Sequence, residues 1–174
     1  MDMLTLVLYF LTSLNSILLI RLLIRAPGVC LKIKYAYGLP ESHRGLGFKY
    51  SGDCGIDLKC WIPEGRIILP PRGTIDVSTG VHIKLPRNCW GRIVGRSSTG
   101  VRGVSVLTGI IDEGYTGELM SYLHNHTNEA IEICNGDRLF QLIMMRRVRG
   151  IKVRAVNTLP QTDRGDKGFG STGK

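Results

Sequence analysis

The chain lacks the cysteine patterns that would place it in a class at once. Its five cysteines (Cys30, Cys54, Cys60, Cys89, Cys134) include no Cys-x-x-Cys pair. A structural zinc site or a dithiol redox motif is therefore not expected, and an odd count suits no disulfide framework. Reduced thiols in a cytoplasmic or nuclear setting are the expectation. Also missing, after Arg25, is any sustained helical periodicity, which argues against an α-helical fold. Acidic residues are few: 14 against 23 lysines and arginines give a net charge of +9. Such a chain could attract nucleic acid or an anionic membrane. The cations are scattered, however, apart from Arg146-Arg147-Val148-Arg149 with Lys152 and Arg154. No recognition helix, zinc finger or aromatic RNA-binding signature accompanies them, so no specific nucleic-acid partner is expected. A small polyanionic substrate accounts for some of the arginines equally well.

What is present divides the 174 residues into one ordinary domain with an appendage at each end. Residues 1–26 form a hydrophobic N-terminal segment. Residues 4–20 are almost wholly apolar and as a helix span ~26 Å, short for a bilayer unless Leu22–Ile24 extend them. Asp2 precedes the run and Arg21 and Arg25 follow it. That is not the charge order of a signal peptide, and it would keep the remainder of the chain in the cytoplasm. Two readings stand: a membrane anchor through residues 4–24, or a dispensable extension left by a precursor or a misplaced start.

From residue 27 to 156 short alternating pieces appear: Leu31/Ile33/Tyr35, Ile75/Val77, Val81/Ile83/Leu85, Ile93 beside Trp90, and Ile131/Ile133. Glycine or proline punctuates nearly every eight to twelve residues, Gly80 among them. This spacing predicts an all-β sandwich, jelly roll or barrel of short strands. Residues 157–174 are polar and glycine-rich, and are expected to stay mobile until they close on something. Asn125-His126-Thr127 fits a glycosylation sequon, a triplet too common by chance to carry weight.

Three segments suggest chemistry. Gly95-Arg96-Ser97-Ser98-Thr99-Gly100 follows an apolar strand, and its guanidinium and hydroxyls would suit an anion, although a polar turn is the plainer reading. In Gly109-Ile110-Ile111-Asp112-Glu113-Gly114-Tyr115-Thr116-Gly117-Glu118, two β-branched residues drive a strand inward before an acidic turn. Tyr115 is out of place in a solvated turn, and an aromatic platform beside a carboxylate suits a sugar next to a base-activated water. Gly136-Asp137-Arg138-Leu139-Phe140-Gln141-Leu142-Ile143 begins as a turn and ends as a strand, with Arg138 and Gln141 at its mouth. The tail Arg164–Gly173 combines glycines, an arginine, two hydroxyl residues and a lone Phe169, the makings of a flexible clamp for phosphates and a base.

Taken in order, SGDCGIDL (51–58), GRSS (95–98), GIIDEGYTGE (109–118), GDRLFQLI (136–143) and RGDKGFGSTG (164–173) resemble the five motifs of trimeric dUTP pyrophosphatases. The likeness covers roughly residues 29–174, and the GRSS and GEL-type variants look most like the retroviral and other viral branches. The resemblance implies a jelly-roll β-barrel homotrimer whose three sites are each assembled from all three subunits. The reaction implied is hydrolysis of dUTP to dUMP and pyrophosphate with Mg2+, which keeps uracil out of DNA and supplies dUMP for dTTP synthesis. Asp112 matches the catalytic carboxylate and Gln141 a residue near the attacking water. Tyr115 matches the aromatic under the deoxyribose. The hairpin of residues 107–120, with Gly109 and Met120 in its arms, would read uracil largely through backbone atoms. Arg96, Ser97 and Ser98 match phosphate contacts, with Arg138 bracing the site. Asp57 matches the carboxylate that holds the magnesium through water. Arg164 matches the γ-phosphate ligand, Phe169 the lid over uracil, and Gly170, Ser171 and Thr172 further tail contacts.

The chain departs from the family at Cys54, Ile56 and Phe140, where Ala, an aromatic and Ala are usual; all three look like packing positions. A dCTP deaminase shares the fold but generally carries a His-Arg pair where this chain has Thr108-Gly109. A noncatalytic dUTPase-like interaction protein would be expected to have lost the aspartate or the tail, and both are present.

Overall fold

The computed structural model describes residues 29–107 and 109–167. The hydrophobic segment 1–26 and the tail residues Phe169, Gly170, Ser171 and Thr172 fall outside them. Among the described residues no helix is long and apolar enough to cross a membrane.

Ten strands among the described residues form three antiparallel sheets. One orders β1 (Lys32–Tyr35), β4 (Thr74–Lys84), β8 (Glu118–Asn125) and β6 (Val104–Leu107). A second orders β2 (Gly55–Leu58), β10 (Phe140–Arg146), β5 (Cys89–Gly95) and β7 (Ile110–Ile111). β3 (Arg66–Leu69) and β9 (Ile131–Cys134) make a two-stranded ribbon. Chain neighbours seldom pair, because the chain crosses between sheets as a jelly roll does. Period-two alternation sets the inward faces: Leu119, Ser121, Leu123 and Asn125 of β8 are buried, while Met120 and Tyr122 between them are exposed. With Leu58, Ile93, Phe140 and Leu142, all fully buried, Leu119 and Leu123 close one core, each of these apolar side chains contributing about 1.5–3 kcal/mol.

The all-β expectation holds, with differences that have local causes. Gly80 does not end a strand. It sits inside the 11-residue β4, at a register shift between Ser78 and His82. Its φ is +66°, and a Cβ there would lie 2.5 Å from Leu39 Cδ1 and 3.0 Å from the Trp61 ring. The Glu118 carboxylate accepts the freed backbone N–H groups of Thr79 (3.1 Å) and Gly80 (2.7 Å), satisfying a β-bulge that only glycine can occupy. The polar turn after β5 is a one-turn helix, Ser97–Val101, pinned by the buried Thr99 hydroxyl donating to the Leu139 carbonyl at 2.6 Å. Only Ile111 of the β7 pair turns inward; Ile110 is exposed. Ile56 and Phe140 are buried packing positions, whereas Cys54 is exposed. The sequon asparagine, Asn125, is fully buried and donates to the carbonyls of Pro70 (3.1 Å) and Glu129 (2.7 Å). Its side chain is a structural cross-link. After β10, residues 147–167 are exposed and carry no strand or helix.

Gly80→Ala is expected to lower stability by about 3 kcal/mol, the sum of a positive-φ penalty and overpacking; urea unfolding midpoints measure it. All five thiols are unpaired. Burial, reinforced by the nearby Asp137 carboxylate, pushes Cys60 from 9.0 up to about 12. A buried thiol held in its protonated form should resist alkylation at pH 8 until the chain unfolds, while exposed Cys54 is labelled at once. Between pH 9 and 12 the unfolded chain gives up a proton that the folded chain keeps. Stability should therefore fall as pH rises through that window.

Candidate active site

β10 runs between β2 and β5, and its register sets the site. Gln141 lies opposite Asp57 on one side and Val94 on the other. The alternation that buries Ile56, Leu58, Phe140 and Leu142 turns Gly55, Asp57 and Gln141 to the opposite face, toward a cavity of about 810 Å³. The Gln141 amide lies across Gly55 so closely that a Cβ there would fall 2.2 Å from its Oε1. Beyond β5, Arg96 donates from Nε to Asp57 Oδ1 at 3.0 Å and from Nη1 to the Arg138 carbonyl at 3.1 Å. Arg138 reaches Asp57 Oδ2 at 3.9 Å. Side chains about a third to half exposed gain at most about 1 kcal/mol from such pairs. The arrangement fixes direction rather than stability. Ser97 and Ser98 complete this wall and are exposed.

The fold thus brings together Asp57, Arg96, Ser97, Ser98, Arg138 and Gln141, drawn from three distant stretches of sequence. The residues of the 107–120 hairpin lie elsewhere. β6 and β8 pair as the arms of a long hairpin, with Leu107 opposite Tyr122. Within its loop, the Gly109 carbonyl accepts Ile93 N–H at 3.1 Å, and Tyr115 N–H closes a turn on the Asp112 carbonyl at 3.0 Å. The Tyr115 hydroxyl donates to the Glu118 carbonyl at 2.8 Å. Its ring lies over Gly117, where a Cβ would come within 2.6 Å of Cζ. Met120 is 40% exposed. Asp112 is exposed, and among the described residues its carboxylate has no hydrogen bond or ion pair. Gly109, Asp112, Tyr115 and Met120 do not line the cavity. Arg164, also outside it, is exposed and donates to the Lys167 carbonyl at 3.3 Å.

A dUTPase family profile matches residues 46–173. A deoxyuridine 5'-triphosphate nucleotidohydrolase of Paramecium bursaria Chlorella virus 1 is 44% identical over 108 residues, which cover 62% of this chain and 76% of the relative. The chain belongs to the dUTPase family. The enzyme of the same name from Kluyveromyces lactis is 38% identical, over 62% of this chain and 73% of its own. The Variola virus enzyme is 37% identical, over 60% and 71%. Among solved structures, the dUTPase of Staphylococcus bacteriophage 80alpha superposes with a TM-score of 0.70, covering 83% of this chain and 99% of that one at 24% identity. The dUTPase of phage phi11 does so at 0.62, covering 74% and 97% at 20% identity. At such identities the two phage proteins speak for the fold. The sequence relatives speak for the reaction: this dUTPase hydrolyses dUTP to dUMP and pyrophosphate.

Two supports of the dUTPase site are invisible as motifs. Glu113, which the sequence would leave in solvent, accepts Asn88 N–H at 2.9 Å on its carboxylate. It also faces Arg147 at 3.8 Å, and its carbonyl accepts Lys84 Nζ at 2.7 Å. These contacts clamp the Asp112 turn onto the β4–β5 connection. His43 is buried and donates from Nε2 to Asn135 Oδ1 and to the Cys60 carbonyl, both at 3.1 Å. Asn135 Oδ1 also accepts Ile62 N–H at 2.9 Å, which leaves the proton on the histidine. This network holds the turn that aims Arg138. Glu113→Ala should therefore lower kcat/KM for dUTP by about 10–100-fold through a displaced turn, with folding stability nearly unchanged. Glu113→Gln, which keeps the Asn88 bond, should recover part of the loss. Steady-state kinetics on the pair decide it, and equal wild-type rates would refute the clamp.

Proposed function

We propose that the cavity beside β2, β10 and β5 grips the triphosphate of dUTP, while the 107–120 hairpin of a neighbouring copy supplies the uracil pocket and the general base. One observation carries this reading: the phosphate-suited residues line one cavity, and the aspartate and aromatic suited to water and sugar lie outside it. A chain holding both half-sites apart can complete a site with a second copy, and a closed homotrimer satisfies all of them.

In this scheme Arg96, Ser97 and Ser98 hold phosphate oxygens, and Arg138 braces both Asp57 and Arg96. Asp112 takes a proton from a water that the Gln141 amide orients. The water oxygen bonds to the α-phosphorus as the bond to the bridging oxygen of the β-phosphate breaks. Tyr115, anchored by its hydroxyl, backs the deoxyribose and leaves no space for a 2′-hydroxyl. Gly109 and Met120 frame the base. Arg164 and the tail residues Phe169, Gly170, Ser171 and Thr172 then close over the substrate and exclude water.

The dUTPase family uses Mg2+. Two carboxylates, Asp53 and Asp57, line the cavity, and no group of three or more His, Cys, Asp or Glu among the described residues is placed to hold a metal. Such a donor set suits an ion chelated by the triphosphate and met by Asp57 through water. When bound, it would supply charge neutralisation across the phosphates.

Asp112→Asn should reduce kcat by about 10²–10⁴-fold, the usual contribution of general-base assistance. Refolding Asp112→Asn together with Arg96→Ala as a mixture should restore part of the activity, since a mixed trimer can hold one intact composite site. No recovery would place both halves in one subunit. Incubation with dUTP, dCTP, dTTP and UTP should release pyrophosphate from dUTP alone and no ammonia from dCTP. Membrane fractionation with and without residues 1–26 tests whether residues 4–24 tether the enzyme.

A further inference from the structure

The cavity carries more positive charge than the motifs account for. Five cationic side chains line it against two carboxylates. Arg96 and Arg138 each pair with Asp57, and Arg44 pairs with Glu41 at 3.1 Å. Lys49 lies over the Tyr50 ring at 5.3 Å. Lys59 remains. It follows β2 directly, two residues beyond Asp57, and the alternation continues through it: Ile56, Leu58 and Cys60 are buried, while Gly55, Asp57 and Lys59 line the cavity. Across the sheet, Arg96 N–H bonds the Leu139 carbonyl and Cys60 N–H the Asp137 carbonyl. The ends of β2 and β5 therefore flank the same turn, with Lys59 on one side and Arg96 on the other. The Lys59 ammonium contacts the Ser42 carbonyl and faces no carboxylate within 4.0 Å among the described residues.

We infer that Lys59 is an additional polyphosphate ligand of this site, contacting the β/γ end of the triphosphate opposite Arg96. The inference rests on the proposed placement of the triphosphate in this cavity. An ammonium held by a single neutral carbonyl exchanges that contact for a phosphate oxygen without breaking an ion pair. Its four-carbon stem lets it swing toward the ligand. Lys59 thus adds a point charge opposite the planar fork of Arg96.

Lys59→Met should raise KM for dUTP about tenfold, the worth of one charge-assisted hydrogen bond, and change kcat by less than about twofold. The salt dependence of kcat/KM should weaken by about one charge. Lys59→Arg should restore most of the affinity. Calorimetric titration with pyrophosphate and with dUMP separates this role from a structural one: pyrophosphate binding should weaken about tenfold while dUMP binding holds. Equal losses for both ligands, or an unchanged KM and pyrophosphate affinity, would overturn the inference. Failure of the wild-type protein to bind pyrophosphate, with Arg96→Ala leaving KM for dUTP unchanged, would instead overturn the placement of the triphosphate in this cavity.

Discussion

Everything in the wall of the cavity depends on β10 being held between β2 and β5. Phe140 and Leu142 enter the core fully buried, and the residues between and beside them must then face the other way. A one-residue slip would send Gln141 into the core and Phe140 into the cavity, so hydrophobic burial enforces the register. The register in turn sets Gln141 opposite Asp57 and brings the ends of β2 and β5 to the same turn. Arg96 and Arg138 then share one carboxylate. Polar geometry with little stability of its own is thereby fixed by apolar packing elsewhere.

Much of this is legible in the sequence, because period-two alternation and turn residues are local signals. The pieces around Ile33, Ile93 and Ile133 become β1, β5 and β9, and GDRLFQLI is a turn running into a strand. What fails is the reading of punctuation. Gly80 looks like Gly65 or Gly73 on paper, yet it makes a bulge inside one long strand. The difference lies in Glu118, nearly forty residues away, whose carboxylate satisfies the freed backbone. The one-turn helix after β5 escapes for a similar reason: five residues carry no periodicity, and Thr99 is anchored by the distant Leu139 carbonyl.

The site divides along the same line. Asp57, Arg96, Asp112, Tyr115 and Gln141, to which the proposed scheme gives the central roles, stand in motifs and can be named from sequence. Residues that hold those residues cannot. Glu113 reads as a solvated turn carboxylate, and only the folded chain brings Asn88, Lys84 and Arg147 against it. His43 sits in a stretch with no motif, and its partners, Cys60 and Asn135, come from two other regions. Cys54 shows the opposite error: a position read as packing is an exposed wall of the cavity. The hairpin that carries Asp112 and Tyr115 also lies outside the cavity, which linear motif order hides.

The closeness of Gln141 to Gly55 bears on how this enzyme can change over generations. Most glycines that tolerate no side chain protect the fold, and their loss is seen as unfolding. At position 55 the obstructing atom is the far end of a glutamine, which can swing away without disturbing the sheet. A methyl group there would leave the fold intact and displace the amide proposed to orient the attacking water. On the proposed role of Gln141, selection at this position would act on catalysis through a missing atom, and drift there would yield well-folded but silent descendants.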